Sequence, residues 1–116
     1  MHHKELKEFY TGERCYITEL INSPVDADLS IGRARVEPGI TTERHKLKGT
    51  AERYIIISGS GIMEVGGHAD SEVSAGDLVL IPPDTPQRIT NSGKSDLVFL
   101  CICTPGFRSD CYIKAE

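Results

Sequence analysis

His45 and Glu52 are the residues whose types and spacing most plainly suggest chemistry. They lie in the stretch from Pro38 to Gly59, which opens on a Pro-Gly turn and sets His45 and Leu47 two residues apart. In an extended strand, residues two apart share a face. The chain then turns at Lys48-Gly49-Thr50 and runs through Glu52 into the apolar segment Tyr54–Ile57. Such a turn brings a carboxylate back towards an imidazole. That pair, inside a β structure, can ligate a divalent ion or move protons as an acid–base couple. Tyr54 shares the face of Glu52 and either offers its hydroxyl to the site or packs as a core aromatic.

The elements that must hold these side chains are strands. The pattern predicts them at Cys15–Ile21, Leu29–Val36, Thr42–Leu47, Arg53–Ser58, Ile62–Val65, Ala69–Val73, Asp77–Ile81, Gln87–Asn91 and Asp96–Cys103. They are short β-branched runs separated by Gly, Pro, Asn and Asp, the signature of an all-β sandwich or barrel. No apolar period of 3.6 residues is sustained anywhere. Residues 3–10 read as a short helix or a loose arm. Residues 104–116 leave the last strand as a tail, with Phe107 and Tyr112 packing back on the barrel as plugs or forming a lid. The whole chain, residues 1–116, reads as one domain.

Strand parity raises a second set of candidates. Leu29–Val36 alternates Ser30, Gly32, Ala34 and Val36 against Leu29, Ile31, Arg33 and Arg35. If the second set faces the interior, Arg33 and Arg35 offer guanidinium forks to an anionic substrate; otherwise they are surface arginines. Tyr54–Ile57 and Leu97–Leu100 are apolar on consecutive residues, as expected of strands covered on both faces. One face fills the barrel, so the other is expected to meet a second copy of the chain in a homodimer. His68, in a Gly-rich turn, is expected to face solvent.

At 116 residues and a net charge of −4, the chain can bury a core without staples and has no basic footprint for nucleic acid. No apolar run approaches the roughly 18–20 residues of a membrane span, and the first residues lack a signal-peptide core. His2 and His3 are compatible with remnants of a tag. Cys15, Cys101, Cys103 and Cys111 contain no Cys-x-x-Cys pair. They read as buried thiols in a reducing, cytoplasmic setting.

The spacing also resembles a known family, the small single-domain cupins. Their first motif runs glycine, five residues, His-x-His, three or four residues, glutamate, six residues, glycine. Gly39, His45, Glu52 and Gly59 occupy it, with Leu47 in place of the second histidine. Their second motif is occupied in register by Gly76, Pro82, Asp84, Gln87 and Asn91, with Asp84 replacing a glycine and Gln87 a histidine. The resemblance implies a cupin-type double-stranded β-helix, or jelly-roll barrel, with a pocket at one end. It implies a divalent metal (Zn, Ni, Fe or Mn) held by His45, Glu52 and Gln87. A metal-free pocket in which these three bond one another stays equally open. Gln87, with Arg33 and Arg35, is the expected substrate-binding set.

Three functions follow: a metal-assisted isomerase, lyase or dioxygenase acting on a sugar derivative or small organic acid; a metal-free enzyme using His45 and Glu52 as an acid–base pair; or a small-molecule-binding module.

Overall fold

A computed structural model describes residues 6–116, so His2 and His3 lie outside the described residues. Eleven strands follow one another: β1 (Phe9–Tyr10), β2 (Tyr16–Ile21), β3 (Ser30–Val36), β4 (His45–Leu47), β5 (Ala51–Ser58), β6 (Ser60–Val65), β7 (Ser71–Ser74), β8 (Leu78–Ile81), β9 (Gln87–Asn91), β10 (Leu97–Thr104) and β11 (Tyr112–Lys114). They form two antiparallel sheets, in the orders β1-β2-β3-β10-β5-β8 and β11-β4-β9-β6-β7. This is the expected all-β double-stranded β-helix. No described helix is long and apolar enough to cross a membrane.

Each predicted strand is present with small shifts at its ends. The largest is at β4, which begins at His45 rather than Thr42. Thr42 instead bonds Ile89 through both its backbone N–H and its hydroxyl, at 2.9 and 3.3 Å, so the chain enters β4 by an irregular path. Two strands were not anticipated. Phe9–Tyr10 pairs with Ile17 and Tyr16, so this part of the N-terminal arm is strand and not helix. Tyr112–Lys114 pairs along β4.

Alternation explains the core. From β5, Tyr54 and Ile56 point inward, meeting Phe99 and Leu97 of β10 and Ala34 and Val36 of β3. Met63 and Ile89 close the cluster from the second sheet. Gly59 joins β5 to β6 at φ +86, and a Cβ there would stand 2.7 Å from the carbonyl oxygen of Asp96. Only glycine makes that turn so close to the start of β10. Asn91, fully buried, donates from Nδ2 to the carbonyls of Val36 and Ser95, each at 2.8 Å, and accepts from the Gly93 N–H at 2.9 Å. The second-motif asparagine is thus a structural tie between strand ends.

Candidate functional site

The two sheets part at the end of the barrel where β4, β5 and β9 begin, leaving a cavity of about 450 Å³. The β3 wall explains the space. Its inward residues run Ser30, Gly32, Ala34, Val36, opposite Cys103, Cys101, Phe99 and Leu97 of β10. Small side chains therefore face one another at the open end, and large ones at the closed end.

Glu52, Tyr54 and Gln87 converge across the sheets. The Tyr54 hydroxyl donates to Gln87 Oε1 at 2.6 Å, and Gln87 Nε2 donates to Glu52 Oε1 at 2.6 Å. Cys103 Sγ donates to Glu52 Oε2 at 3.7 Å. All four residues are buried. Burial raises the Glu52 carboxyl to about 6, against the opposing pull of the Gln87 hydrogen bond and the His45 charge; the Glu13 charge adds to the rise. Burial, then the Glu52 charge, pushes the Tyr54 hydroxyl well above its usual value, so it remains a donor. The Cys101 and Cys103 thiols are raised for the same two reasons.

His45 is held separately. Its ring stacks on Tyr112, with centroids 4.6 Å apart and planes at 18°. Nδ1 lies 2.9 Å from the backbone oxygen of Glu43. A carbonyl only accepts, so Nδ1 carries the proton, and in the neutral ring the lone pair is on Nε2. Nε2 has no hydrogen-bond partner among the described residues, and His45 lines the cavity. Behind it, Glu13 Oε2 stands 3.8 Å from Nδ1. Glu43 accepts from the Tyr112 hydroxyl at 2.6 Å and lies 3.5 Å from Lys114 Nζ. Burial raises the Glu13 carboxyl, with the His45 charge opposing and the Glu43 charge adding to the rise.

The expected trio is therefore only partly joined. Gln87 and Glu52 bond each other, whereas His45 bonds Glu43. Tyr54 belongs to the site through Gln87, as well as to the core through Phe99. Arg33 and Arg35 are corrections: they point away from the cavity. Arg33 is exposed, and Arg35 pairs with Glu8 at 2.7 Å and Asp96 at 3.2 Å, its guanidinium 4.1 Å from the Tyr16 ring centroid. The interior positions go instead to the small, uncharged residues Ser30, Gly32 and Ala34 of β3. Tyr112 and Phe107 pack at the open end as expected, with Leu47, Cys103 and Cys111.

Glu13 and Glu43 were not anticipated. Glu43 was readable, since it is two residues before His45. Glu13 was not, because a backbone bond from Glu43 N–H to Glu13 oxygen, at 2.9 Å, joins segments far apart in sequence.

Residues 32–103 match the family model for the cupin domain. The chain belongs to the cupin family. This cupin is 32% identical over 105 residues to an uncharacterized protein of Methanocaldococcus jannaschii, covering 89% of this chain and 83% of that one. It is 33% identical over 70 residues to an oxalate-binding protein of Thermotoga maritima, a match spanning 60% of this chain and 57% of the relative. Among solved structures, Streptomyces Pac13, described as a nucleoside dehydratase, superimposes with a TM-score of 0.81 at 18% identity. That match covers 100% of this chain and 92% of the other, and the likeness is one of fold.

The divalent metal that the cupin resemblance implies does not fit this donor set. Leu47, where the second histidine belongs, is buried in an apolar cluster with Cys103 and Cys111. Gln87 has its amide oxygen on Tyr54 and its amide nitrogen on Glu52. Among the described residues, no three His, Cys, Asp or Glu side chains are grouped to hold an ion.

Proposed function

We propose that this cupin processes a small molecule by metal-free proton transfer, in the manner of a lyase or isomerase. The observation that carries this reading is the His45 hydrogen bond to the Glu43 carbonyl. It fixes the ring and leaves Nε2 as an unpartnered base at the cavity wall. Glu52, whose carboxyl sits at about 6, is the matching acid, positioned by Gln87. In the step, Nε2 removes a proton from a C–H beside a carbonyl. Glu52 delivers one to the oxygen or to a departing hydroxyl, and the two groups exchange protons to reset. The names of fold neighbours, an oxalate decarboxylase from Bacillus subtilis and a nucleoside dehydratase among them, support a small-molecule role for such a barrel.

The test is solvent-label exchange. Hydroxy-carbonyl compounds incubated with the protein in D2O and chelator are expected to gain deuterium at the carbon next to the carbonyl, by mass spectrometry. His45→Ala is expected to abolish the gain. Exchange that disappears with chelator and returns with a divalent metal overturns the reading. Tight binding without exchange makes the protein a binding module.

The same reading includes a homodimer. On the outer face, Ile55 is paired with both Leu78 and Leu100, and Ile57, Leu78 and Leu80 are 49%, 64% and 58% exposed. A contiguous apolar patch of this kind at an open sheet edge suits a second copy of the chain. Light scattering is expected to give twice the chain mass. Leu78→Lys with Leu80→Lys is expected to halve it, and a monomeric wild type removes the proposal.

A further inference from the structure

We infer that the molecule bound in this cavity is an amphipathic amine: an apolar body carrying a protonated amino group. The inference rests on the cavity being the small-molecule site proposed above and names the class of ligand it takes.

Charge at the cavity wall is one-sided. Four carboxylates line it, those of Glu13, Glu19, Glu43 and Glu52. The lysine at its rim, Lys114, has a side chain 75% exposed and is directed at Glu43. Arg33 and Arg35 of the β3 wall point outward. Glu43 is satisfied by Tyr112 and Lys114, and Glu52 by Gln87 and Cys103. Glu13 is different. It makes no side-chain hydrogen bond among the described residues, its Oε2 lies 3.8 Å from His45 Nδ1, and its side chain is 25% exposed. A largely buried carboxylate whose nearest partner is an imidazole nitrogen 3.8 Å away is poorly compensated, and an ammonium ion relieves that cost through charge-assisted hydrogen bonds.

A second observation places a ligand there. The His45 side chain is only 4% exposed, yet its Nε2 is unpartnered at the same wall. The unpartnered nitrogen of this cavity-lining ring is open to what the cavity holds. Much of the remaining wall is apolar or aromatic, including Ile17, Ala34, Phe99 and Phe107. Such a surface accepts a hydrocarbon body, and its ring faces favour a cation over an anion. A dicarboxylate such as oxalate meets a wall that carries four carboxyl groups and no interior cation.

Three probes sharing one body test this: phenethylamine, 2-phenylethanol and phenylacetate, titrated calorimetrically into the full chain. Phenethylamine is expected to bind at least tenfold more tightly than the alcohol, and phenylacetate not measurably. Glu13→Gln is expected to weaken the amine at least fivefold and leave the alcohol within twofold. If that variant does not fold by circular dichroism, Glu19→Gln at the mouth takes its place, with a threefold loss expected. Alcohol or acetate binding as tightly as the amine overturns the inference. So does failure of all three to bind, or an amine preference that persists unchanged in the variant. An amine preference without deuterium exchange removes the proton-transfer reading alone; exchange without an amine preference removes this inference alone.

Discussion

The two ends of the barrel are made by the same strands, and the contrast between them shows how one sequence pattern yields both a core and a cavity. Along β3, Val36 meets Leu97 in filled space, and Ala34 with Phe99 forms the floor of the cavity. One and two pairs further on, Gly32 and Ser30 meet Cys101 and Cys103, and the space is open. Along β5 the inward series Glu52, Tyr54, Ile56 passes from carboxylate to phenol to hydrocarbon over the same distance. Tyr54 marks the border, with its ring centroid 4.3 Å from that of Phe99 and its hydroxyl on Gln87. The closed end owes its stability to packing; the open end keeps buried polar groups bonded to one another around a void.

The same substitution at the two ends should separate them most. Leu97→Ala removes a fully buried side chain from the sealed core, and a loss of about 4 kcal/mol is expected by chemical denaturation. Leu47→Ala removes a side chain that already borders the cavity, so no new sealed void forms and about 2 kcal/mol is expected. Equal losses would mean that the open end is packed as tightly as the closed one.

Only the open end should respond to mild acid. Glu52 is held at about 6 against an ordinary 4.5, so between these values the folded protein binds more protons than the unfolded chain. Stability contributed by this group is fully present below 4.5 and is lost as pH rises through about 6, a change on the order of 2 kcal/mol. The raised carboxyl of Glu13 acts in the same direction. Melting temperatures should therefore fall from pH 4.5 to 7. Glu52→Gln should flatten that slope, and a slope unchanged in the variant would place its origin elsewhere.

Gly32 offers a way to make the open end resemble the closed one. A Cβ there would meet Ile17 Cγ2 and the Thr18 carbonyl at 3.8 Å, an ordinary contact. Gly32→Val should therefore keep or raise stability by about 0.5–1 kcal/mol while filling the cavity and weakening phenethylamine at least tenfold. Smaller still is Asp84→Gly. Asp84 holds φ +61, where the resembled motif carries glycine. Relief of that backbone, less the 3.3 Å bond from Gly49 N–H to Asp84, should gain about 0.5 kcal/mol in thermal unfolding.

Much of this was legible beforehand, for particular reasons. Strand positions follow from alternation and turn residues, which are local. The convergence of Glu52 with Gln87 followed from two motifs in register. What escaped the sequence was of longer range. Whether Arg33 or Ala34 faces inward depends on which neighbours β3 receives, since both phases of its alternation contain apolar residues. Phe9–Tyr10 is too short to announce itself and is strand only because Tyr16 and Ile17 offer it an edge. Glu13 reaches the site through a backbone bond to Glu43, which no spacing rule contains.

The sequence by itself determined that strands would alternate around one barrel, that His45 and Glu52 would point to one end of it, and that Leu47 could ligate nothing. These follow from strand periodicity and from the chemistry of side chains, which each residue carries wherever it stands. Only the tertiary structure decided that His45 donates to Glu43 and keeps Nε2 free, that Gln87 spans Tyr54 and Glu52, and that a carboxylate from the N-terminal arm stands behind the imidazole. Hydrogen-bond direction and desolvation depend on what surrounds a group, and here those surroundings come from both sheets, the arm and the tail.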